Sequence, residues 1–163
     1  MNNRGFSLIE LIVVIGIIGI LSSIVTLSFS NWTRKANIER QTREMFTDLN
    51  SARSEAVFQK KRQAMILQPR SFIIKRYSSP DESRTGDTTK GVVLTKSLAY
   101  SISRTTGTSL ADRIIEFDVR GFTNDWETIC VNPFNSGAKY DCIAISSGRI
   151  NLGKMEGAAC VQK

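Results

Sequence analysis

The position of one carboxylate in the sequence raises a chemical question. Glu10 lies at the start of an apolar run that has no charged residue from Leu11 to Thr33, and apolar residues dominate as far as Phe29. An ionised carboxylate is costly to place in lipid or in a protein interior unless a cation pairs with it. The position of Glu10 therefore predicts that a cation meets it once the run is buried.

Three cysteines, Cys130, Cys142 and Cys160, lie in the last 34 residues. In an exported chain two of them are expected to form a disulfide, which leaves the third over. The sequence contains no histidine, and this removes the usual zinc ligand, the usual general base and any Ser-His-Asp triad. We therefore expect no metal site, no cofactor and no enzymatic activity.

The remaining charge indicates a basic soluble part. Arg4 and Glu10 are the charged side chains of residues 1–33 and they cancel, so the formal net charge of +7 lies in residues 34–163. Such an excess permits binding to polyanions or anionic surfaces, although it is common on solvated faces. Asp112, Glu116 and Asp118 are near each other in the sequence, but Glu116 and Asp118 share one face of a predicted strand, and we interpret those two as solvated charge rather than a catalytic group.

A long helix is predicted to position Glu10. Residues 6–29 would form roughly 36 Å of helix, enough to cross a hydrocarbon core of about 30 Å. The run is too long for a secretory signal peptide, and no A-x-A-like cleavage site follows it. Beyond it, apolar or small residues recur at helical spacing, so one helix is predicted from Phe6 to about Phe58, with a transmembrane first half. The recurring positions are Ile38, Thr42, Met45, Leu49, Ala52 and Ala56.

A β-sheet is predicted to cover the striped second half of this helix. Short segments rich in β-branched and aromatic residues are separated by turn signals, at residues 63–68, 71–77, 90–103, 113–119, 126–131 and 141–146. Residues 78–89 are predicted to form a mobile exposed loop. A long helix followed by antiparallel strands is an α+β arrangement.

The segment "RGFSLIE" (residues 4–10) resembles the processing site of type IV prepilins and pseudopilins. The resemblance implies a leader peptide at 1–5, a hydrophobic transmembrane or filament-core half of the helix at 6–33, and a periplasmic or extracellular head at 34–163. It also implies that a prepilin peptidase cleaves between Gly5 and Phe6 and methylates the new amine of Phe6. Glu10 would then pair with the Phe6 amine of a neighbouring subunit during assembly.

Three further segments resemble the GspH/FimT group of minor pilins and pseudopilins: "ARSEAV" (52–57), "IIEFDVRGFTN" (114–124) and "CIAISSGRINLG" (142–153). The group implies the type IV pilin fold and a scarce subunit at or near the tip of a type IV pilus that helps to prime assembly. Its expected partners are other pilins, the prepilin peptidase and the inner-membrane assembly platform. The expected location is the inner membrane of a Gram-negative bacterium, with the head in the periplasm, and then the pilus on the cell surface.

Two alternatives come with the group. One is the H-type pseudopilin of a type II secretion system, and the other is a DNA-binding minor pilin for natural transformation. The DNA-binding members carry two arginines in a "GRxR"-type motif, whereas Gly148–Asn151 here supplies only Arg149. Lys154 and Lys163 could add phosphate contacts, but so few cations predict weak, salt-sensitive binding, and DNA binding is not favoured.

The resemblance also implies a disulfide pairing, because group members tie the last strand to the C-terminal tail. This corresponds to Cys142 with Cys160, a closure worth about 3 kcal/mol for a loop of this size. The residues themselves leave two other pairings open. Cys130 with Cys142 is the second choice, because adjacent strands could place them opposite each other, and Cys130 with Cys160 is the third.

Overall fold

The computed structural model describes residues 7–79, 82–84, 90–134 and 136–162, without the side chains of residues 23–28. The chain divides into two compact units, Met1–Arg34 and Lys35–Lys163. A single helix, α1 (Leu8–Gln59), runs through both sequence ranges. It agrees with the predicted helix to within two residues at its start and one at its end, over the described part of the chain.

The second unit is held together by the predicted stripe of α1. All six stripe positions are at most 2 % exposed. The hydroxyl of Thr42 donates to the carbonyl of Ile38 at 2.9 Å, which satisfies it inside the core. Lys60 follows the helix with a φ of 54°, so the chain leaves the helical conformation directly after Gln59.

The head contains two antiparallel sheets where the sequence predicted one. A four-stranded sheet has the order β3-β2-β1-β5 and a five-stranded sheet has the order β4-β6-β7-β8-β9. The strands of the first sheet are β1 (Gln63–Gln68), β2 (Ser71–Arg76), β3 (Val92–Ser97) and β5 (Arg113–Phe117). Those of the second are β4 (Ile102–Ser103), β6 (Glu127–Val131), β7 (Cys142–Ser146), β8 (Arg149–Glu156) and β9 (Ala159–Gln162).

The predicted strand 90–103 is wrong, because the chain changes sheets within it. Gln41 of α1 explains the break. Its amide nitrogen donates to the carbonyl of Tyr100 at 2.8 Å, and its amide oxygen accepts from the N–H of Tyr100 at 2.8 Å. Since both backbone groups of Tyr100 bond to a helix side chain, they take no part in a strand ladder there.

The apolar core of the head lies between the stripe of α1 and both sheets. It includes Met65 and Phe72 from the first sheet, and Ile129 and Ile143 from the second. A smaller cluster contains Cys130, Cys142 and Met155, with Cys160 and Phe134 packed against it. The described core residues all follow Arg34 in the sequence, so the second unit has a hydrophobic core of its own.

Within the residues that the structure describes, no helical stretch meets the length and apolarity of a membrane span.

Candidate functional site

Glu10 lies in the first turn of α1. The carbonyl of Ser7 accepts from the N–H groups of Glu10 at 3.0 Å and Leu11 at 3.2 Å, which fixes the start of the helix at this point. A negative side chain is stabilised near a helix N-terminus, where unpaired N–H groups carry partial positive charge. The Ser7-x-x-Glu10 spacing is also that of a capping box, in which both residues satisfy N–H groups of the first turn.

The helix around Glu10 presents apolar surface on every side. Every large apolar residue from Leu8 to Leu21 is exposed, from 47 % at Val14 to 75 % at Leu8. At Gly16 and Gly19 an added Cβ would meet no atom within 4 Å. A continuous apolar surface of this kind marks a segment that binds lipid or another protein. The predicted cleavage and methylation residues, Gly5 and Phe6, lie outside the described residues.

The disulfide between Cys142 and Cys160 that the family resemblance implies is present in the structure. Cys142 of β7 and Cys160 of β9 are bonded, with their Cα atoms 6.1 Å apart. Strand β8 runs between them, and adjacent strands are about 4.8 Å apart, so the sheet must curl to bring β7 and β9 this close. At Gly153 of β8, an added Cβ would lie 2.6 Å from the Cys160 sulfur and 2.8 Å from the carbonyl oxygen of Val161. The bridge therefore requires glycine at this position.

The second-choice pairing, Cys130 with Cys142, is wrong even though its geometric reasoning was correct. The two residues are direct cross-strand partners in the β6–β7 register. Cys130 nevertheless remains a free, fully buried thiol that contacts the Met155 sulfur at 3.5 Å. Burial, and then the nearby Asp141 and Glu127 carboxylates, raise the pKa of Cys130 to about 12. Because the thiolate is the reactive form, this cysteine is chemically quiet. The third-choice pairing, Cys130 with Cys160, is excluded by the same bond.

Asp141 lies beside this sulfur cluster and is fully buried. One carboxylate oxygen accepts from the N–H of Met155 at 2.6 Å, and the other has no partner among the described residues. Burial raises the pKa of Asp141. The carboxyl group therefore fixes the β7–β8 backbone at this end of the sheet, at a cost in desolvation.

The predicted DNA-contact residues do not converge. Arg149 is exposed at the start of β8, and Lys154 is five residues further along the same strand. Side chains an odd number of residues apart point to opposite faces of a strand, so these two cations cannot line one surface. Lys163 lies outside the described residues.

Sequence reasoning missed two residues beside the Gly148–Arg149 turn. An added Cβ at Gly148 would lie 3.3 Å from the ring of Phe122, and the guanidinium of Arg120 lies 5.8 Å from that ring. Phe122 is 49 % exposed. These residues belong to the "RGF" turn that the sequence had matched to the minor pilin group, but its proximity to residue 148 depends on how the strands meet.

Ion pairs hold the described part of the 78–89 loop against the four-stranded sheet. The ammonium of Lys75, whose side chain is 1 % exposed, pairs with Glu82 at 2.7 Å, and Arg84 pairs with Asp125 at 2.6 Å. The loop predicted to be mobile is therefore anchored at Glu82 and Arg84, while residues 80–81 and 85–89 lie outside the described residues. Hydrogen bonds from Lys75, and then from Ser78, lower the pKa of Glu82 to about 2.

The interpretation of Glu116 as solvated charge is wrong. Its carboxylate pairs with Arg62 at 2.8 Å and with Arg84 at 3.5 Å, and its side chain is 15 % exposed. Asp118 instead closes the following turn, where one of its oxygens accepts from the N–H groups of Arg120 at 2.8 Å and Phe122 at 2.9 Å. Both acids stabilise the head, and among the described residues no group of acids and cysteines could hold a metal ion.

Comparisons with known proteins found a family that matches the N-terminal segment and a solved structure with a similar fold. The family described as "Prokaryotic N-terminal methylation motif" matches residues 1–26. The structure is similar to the crystal structure of the type IV minor pilin FimU of Pseudomonas aeruginosa strain PAO1, with a TM-score of 0.51 and 14 % sequence identity. That match covers 80 % of this chain and 97 % of the FimU chain. No curated protein sequence matches the chain. The predicted α+β fold with a long N-terminal helix is thus confirmed as the type IV pilin fold.

Proposed function

We propose that this chain, which carries an N-terminal methylation motif and has a type IV pilin fold, is a minor pilin incorporated at or near the tip of a type IV pilus. Before assembly it is anchored in the inner membrane with its head in the periplasm. A prepilin peptidase cleaves between Gly5 and Phe6 and methylates Phe6, and the mature subunit helps to prime the filament. The chain acts as a structural subunit and not as an enzyme.

The observation that carries this proposal is the placement of Glu10 on an otherwise apolar helix surface. Apolar side chains that are exposed all around a helix must be covered by lipid before assembly and by other helices in the filament. Glu10 is the one ionisable side chain described among them. Cleavage after Gly5 would create a cationic amine at Phe6. Pairing that amine with Glu10 of a neighbouring subunit offsets the several kcal/mol that an unpaired buried carboxylate costs.

The charge pairing also explains how such a subunit can be both stable in the membrane and specific in the filament. The first turn of the helix and the lipid headgroups can satisfy Glu10 while the subunit is alone. In a filament that environment is replaced by neighbouring helices, so the carboxylate is satisfied only where an amine meets it. The pair would therefore set the position of each incoming subunit relative to the previous one.

Replacing Glu10 tests this function. Glu10→Ala should leave cleavage and membrane insertion intact, because neither requires a buried ion pair, but it should prevent incorporation into filaments. Mass spectrometry measures the mature N-terminus, and immunoblotting of sheared filaments measures incorporation. Glu10→Asp is the matched control, because it keeps the charge and should retain partial incorporation. Normal incorporation of Glu10→Ala would contradict the pairing argument.

The H-type pseudopilin of a type II secretion system remains an alternative that rests on the same motif and fold. It predicts that the protein is found with a periplasmic pseudopilus and that its deletion blocks secretion while surface pili persist. The DNA-binding alternative is not supported by the placement of Arg149 and Lys154 on opposite faces of β8. A gel shift of the purified chain with duplex DNA across a salt series tests it.

A further inference from the structure

The two edges of the four-stranded sheet differ in how their outward backbone groups are satisfied. At the β5 edge, side chains cover them. The N–H of Glu116 donates to a carboxylate oxygen of Asp125 at 2.9 Å, and the carbonyl of Ile114 accepts from Arg84 at 3.5 Å. Groups that would otherwise be free to pair with another strand are thus occupied within the chain.

The β3 edge is open. The N–H of Leu98 donates to the carbonyl of Arg70 at 2.8 Å, so Leu98 faces β2. Because residues of an antiparallel strand alternate in the neighbour they bond to, Lys96 also bonds to β2, while Thr95 and Ser97 direct their N–H and C=O groups outward. In the described part of the chain, no residue hydrogen-bonds to those outward groups.

The side chains of β3 add to this opening. Val92, Val93 and Leu94 are 41 %, 51 % and 36 % exposed. Edge strands are commonly protected by proline or by a lysine that projects past the edge, but β3 has no proline, and Lys96 is bound to Asp48 at 2.9 Å. The register irregularity opposite Lys75 lies near the start of the strand and leaves the segment from Leu94 to Ser97 regular.

We propose that β3 accepts an extended strand from the adjoining pilin-type subunit, so that the four-stranded sheet continues across the subunit boundary. The inference rests on the proposed filament function and names a contact surface within it. Backbone pairing to Thr95 and Ser97 supplies the affinity, and the apolar side chains of Val92, Val93 and Leu94 are covered by the incoming strand.

The symmetry of the contact identifies the partner strand. Pairing β3 with β3 of a second copy requires a two-fold axis between the copies. Such a contact uses the same edge on both copies and closes a pair, so it leaves no β3 edge to accept a further subunit. The partner is therefore a different strand of the neighbouring subunit, and such head-to-tail contacts extend a filament instead of closing a pair.

Amide hydrogen exchange, read at single-residue resolution, tests the contact without any substitution. In the purified full-length chain in detergent micelles, the Thr95 and Ser97 amides should exchange rapidly, and in native filaments they should exchange at least about tenfold more slowly, because a paired amide exchanges only when the pairing opens. The Glu116 amide, which Asp125 already holds, should be slow in both states and is the internal control. Equal exchange of Thr95 and Ser97 in the two states would overturn the proposal.

A substitution provides the second test. Thr95→Pro removes an outward N–H and leaves the bonds to β2 in place, whereas Thr95→Ala keeps that N–H and is the matched control. Incorporation of Thr95→Pro into filaments should fall at least about tenfold below that of Thr95→Ala, at equal thermal stability of the two purified variants. Equal incorporation would overturn the proposal, and the exchange experiment decides if Thr95→Pro fails to fold.

The outcomes separate this inference from the function on which it rests. If incorporation depends on Glu10 but not on Thr95, the filament function stands and the β3 contact is refuted. If the native chain never enters filaments, the proposed function fails and the named partner fails with it. If the chain alone forms a dimer in micelles that Thr95→Pro dissolves, the strand comes from a second copy and the adjoining-subunit assignment is wrong.

Discussion

Removing the Cys142–Cys160 disulfide should destabilise the head by an amount that its sequence separation sets. The bond closes a loop of 18 residues, and the chain-entropy relation for that length gives about 3 kcal/mol. For a head of roughly 130 residues, with an unfolding entropy of about 2.1 cal/mol/K per residue, this corresponds to a fall in Tm of about 11 °C. The double variant Cys142→Ala, Cys160→Ala should therefore unfold at least that much earlier, since it also loses buried sulfur.

The assay is thermal and guanidinium unfolding of the full-length chain in micelles, followed by near-ultraviolet circular dichroism, with and without a reductant. Cys130→Ala is the matched control, because it removes one buried sulfur without breaking a bond and should cost about 1 kcal/mol. Reductant should lower the Tm of the native chain and of Cys130→Ala, and it should leave the double variant unchanged.

Two results would refute the reasoning. A double variant within about 1 kcal/mol of the native chain would mean that the closure does not restrict the unfolded state as the entropy model requires. Peptide mapping that finds Cys130 bonded to Cys142 would mean that the cross-strand partners of β6 and β7, and not the bridge over β8, are oxidised in the protein.

Gly153→Ala should lower the free energy of unfolding by about 1–3 kcal/mol, because its Cβ would overlap the disulfide and the Val161 carbonyl. The loss should be smaller in the Cys142→Ala, Cys160→Ala background. A double-mutant cycle measured by guanidinium unfolding would contradict this explanation if the two effects were strictly additive. The pKa of Glu82 is lowered from 4.5 to about 2, so its stabilising contribution is complete above the unfolded value and is lost as the pH falls towards 2. Unfolding measured across that window should show a smaller pH dependence for Glu82→Gln than for the native chain, and equal slopes would show that the pair with Lys75 does not form.

Local patterns predicted the helix and most strands correctly. The stripe from Ile38 to Ala56 identified the buried face of α1 because helical spacing depends only on the residues within the helix. The sequence predicts a strand at residues 63–68, because the segment is apolar and is followed by the Gln68-Pro69 turn, and β1 has those bounds. Each of these elements carries its own signal in the sequence.

The errors arose where a distant residue determines the local structure. Gln41 ends the strand pairing at Tyr100 from a position 59 residues away, and no local pattern near residue 100 reveals this. The sequence does not predict β9, and it does not predict β8 as a separate strand because Gly153 and the charged residues of β8 weaken its apolar alternation. That glycine is explained by the bridge between Cys142 and Cys160, so its role became visible only with the fold.

The residues of the candidate site likewise divide into those that a local sequence signal predicts and those whose role depends on the fold. Glu10 was identified from one charge in an apolar run, which is a purely local signal. Arg120 and Phe122 were not connected with the turn at Gly148, because that proximity depends on how β7 and β8 meet the turn after β5. The disulfide was assigned correctly only through family resemblance, since strand adjacency by itself favours Cys130 equally well.

The ion pairs around the 78–89 loop also affect the electrostatic field of the head at long range. Lys75, Arg62 and Arg84 are matched there by Glu82, Glu116 and Asp125, so these six side chains together contribute no net charge beyond a Debye length of about 8 Å. The positive field of the head must then originate elsewhere, on exposed cations such as Lys35 and Arg149. Two identical heads would repel each other through that field, and an acidic neighbour would associate faster. Replacing both members of one of these ion pairs by uncharged residues should therefore alter folding without altering the rate of encounter.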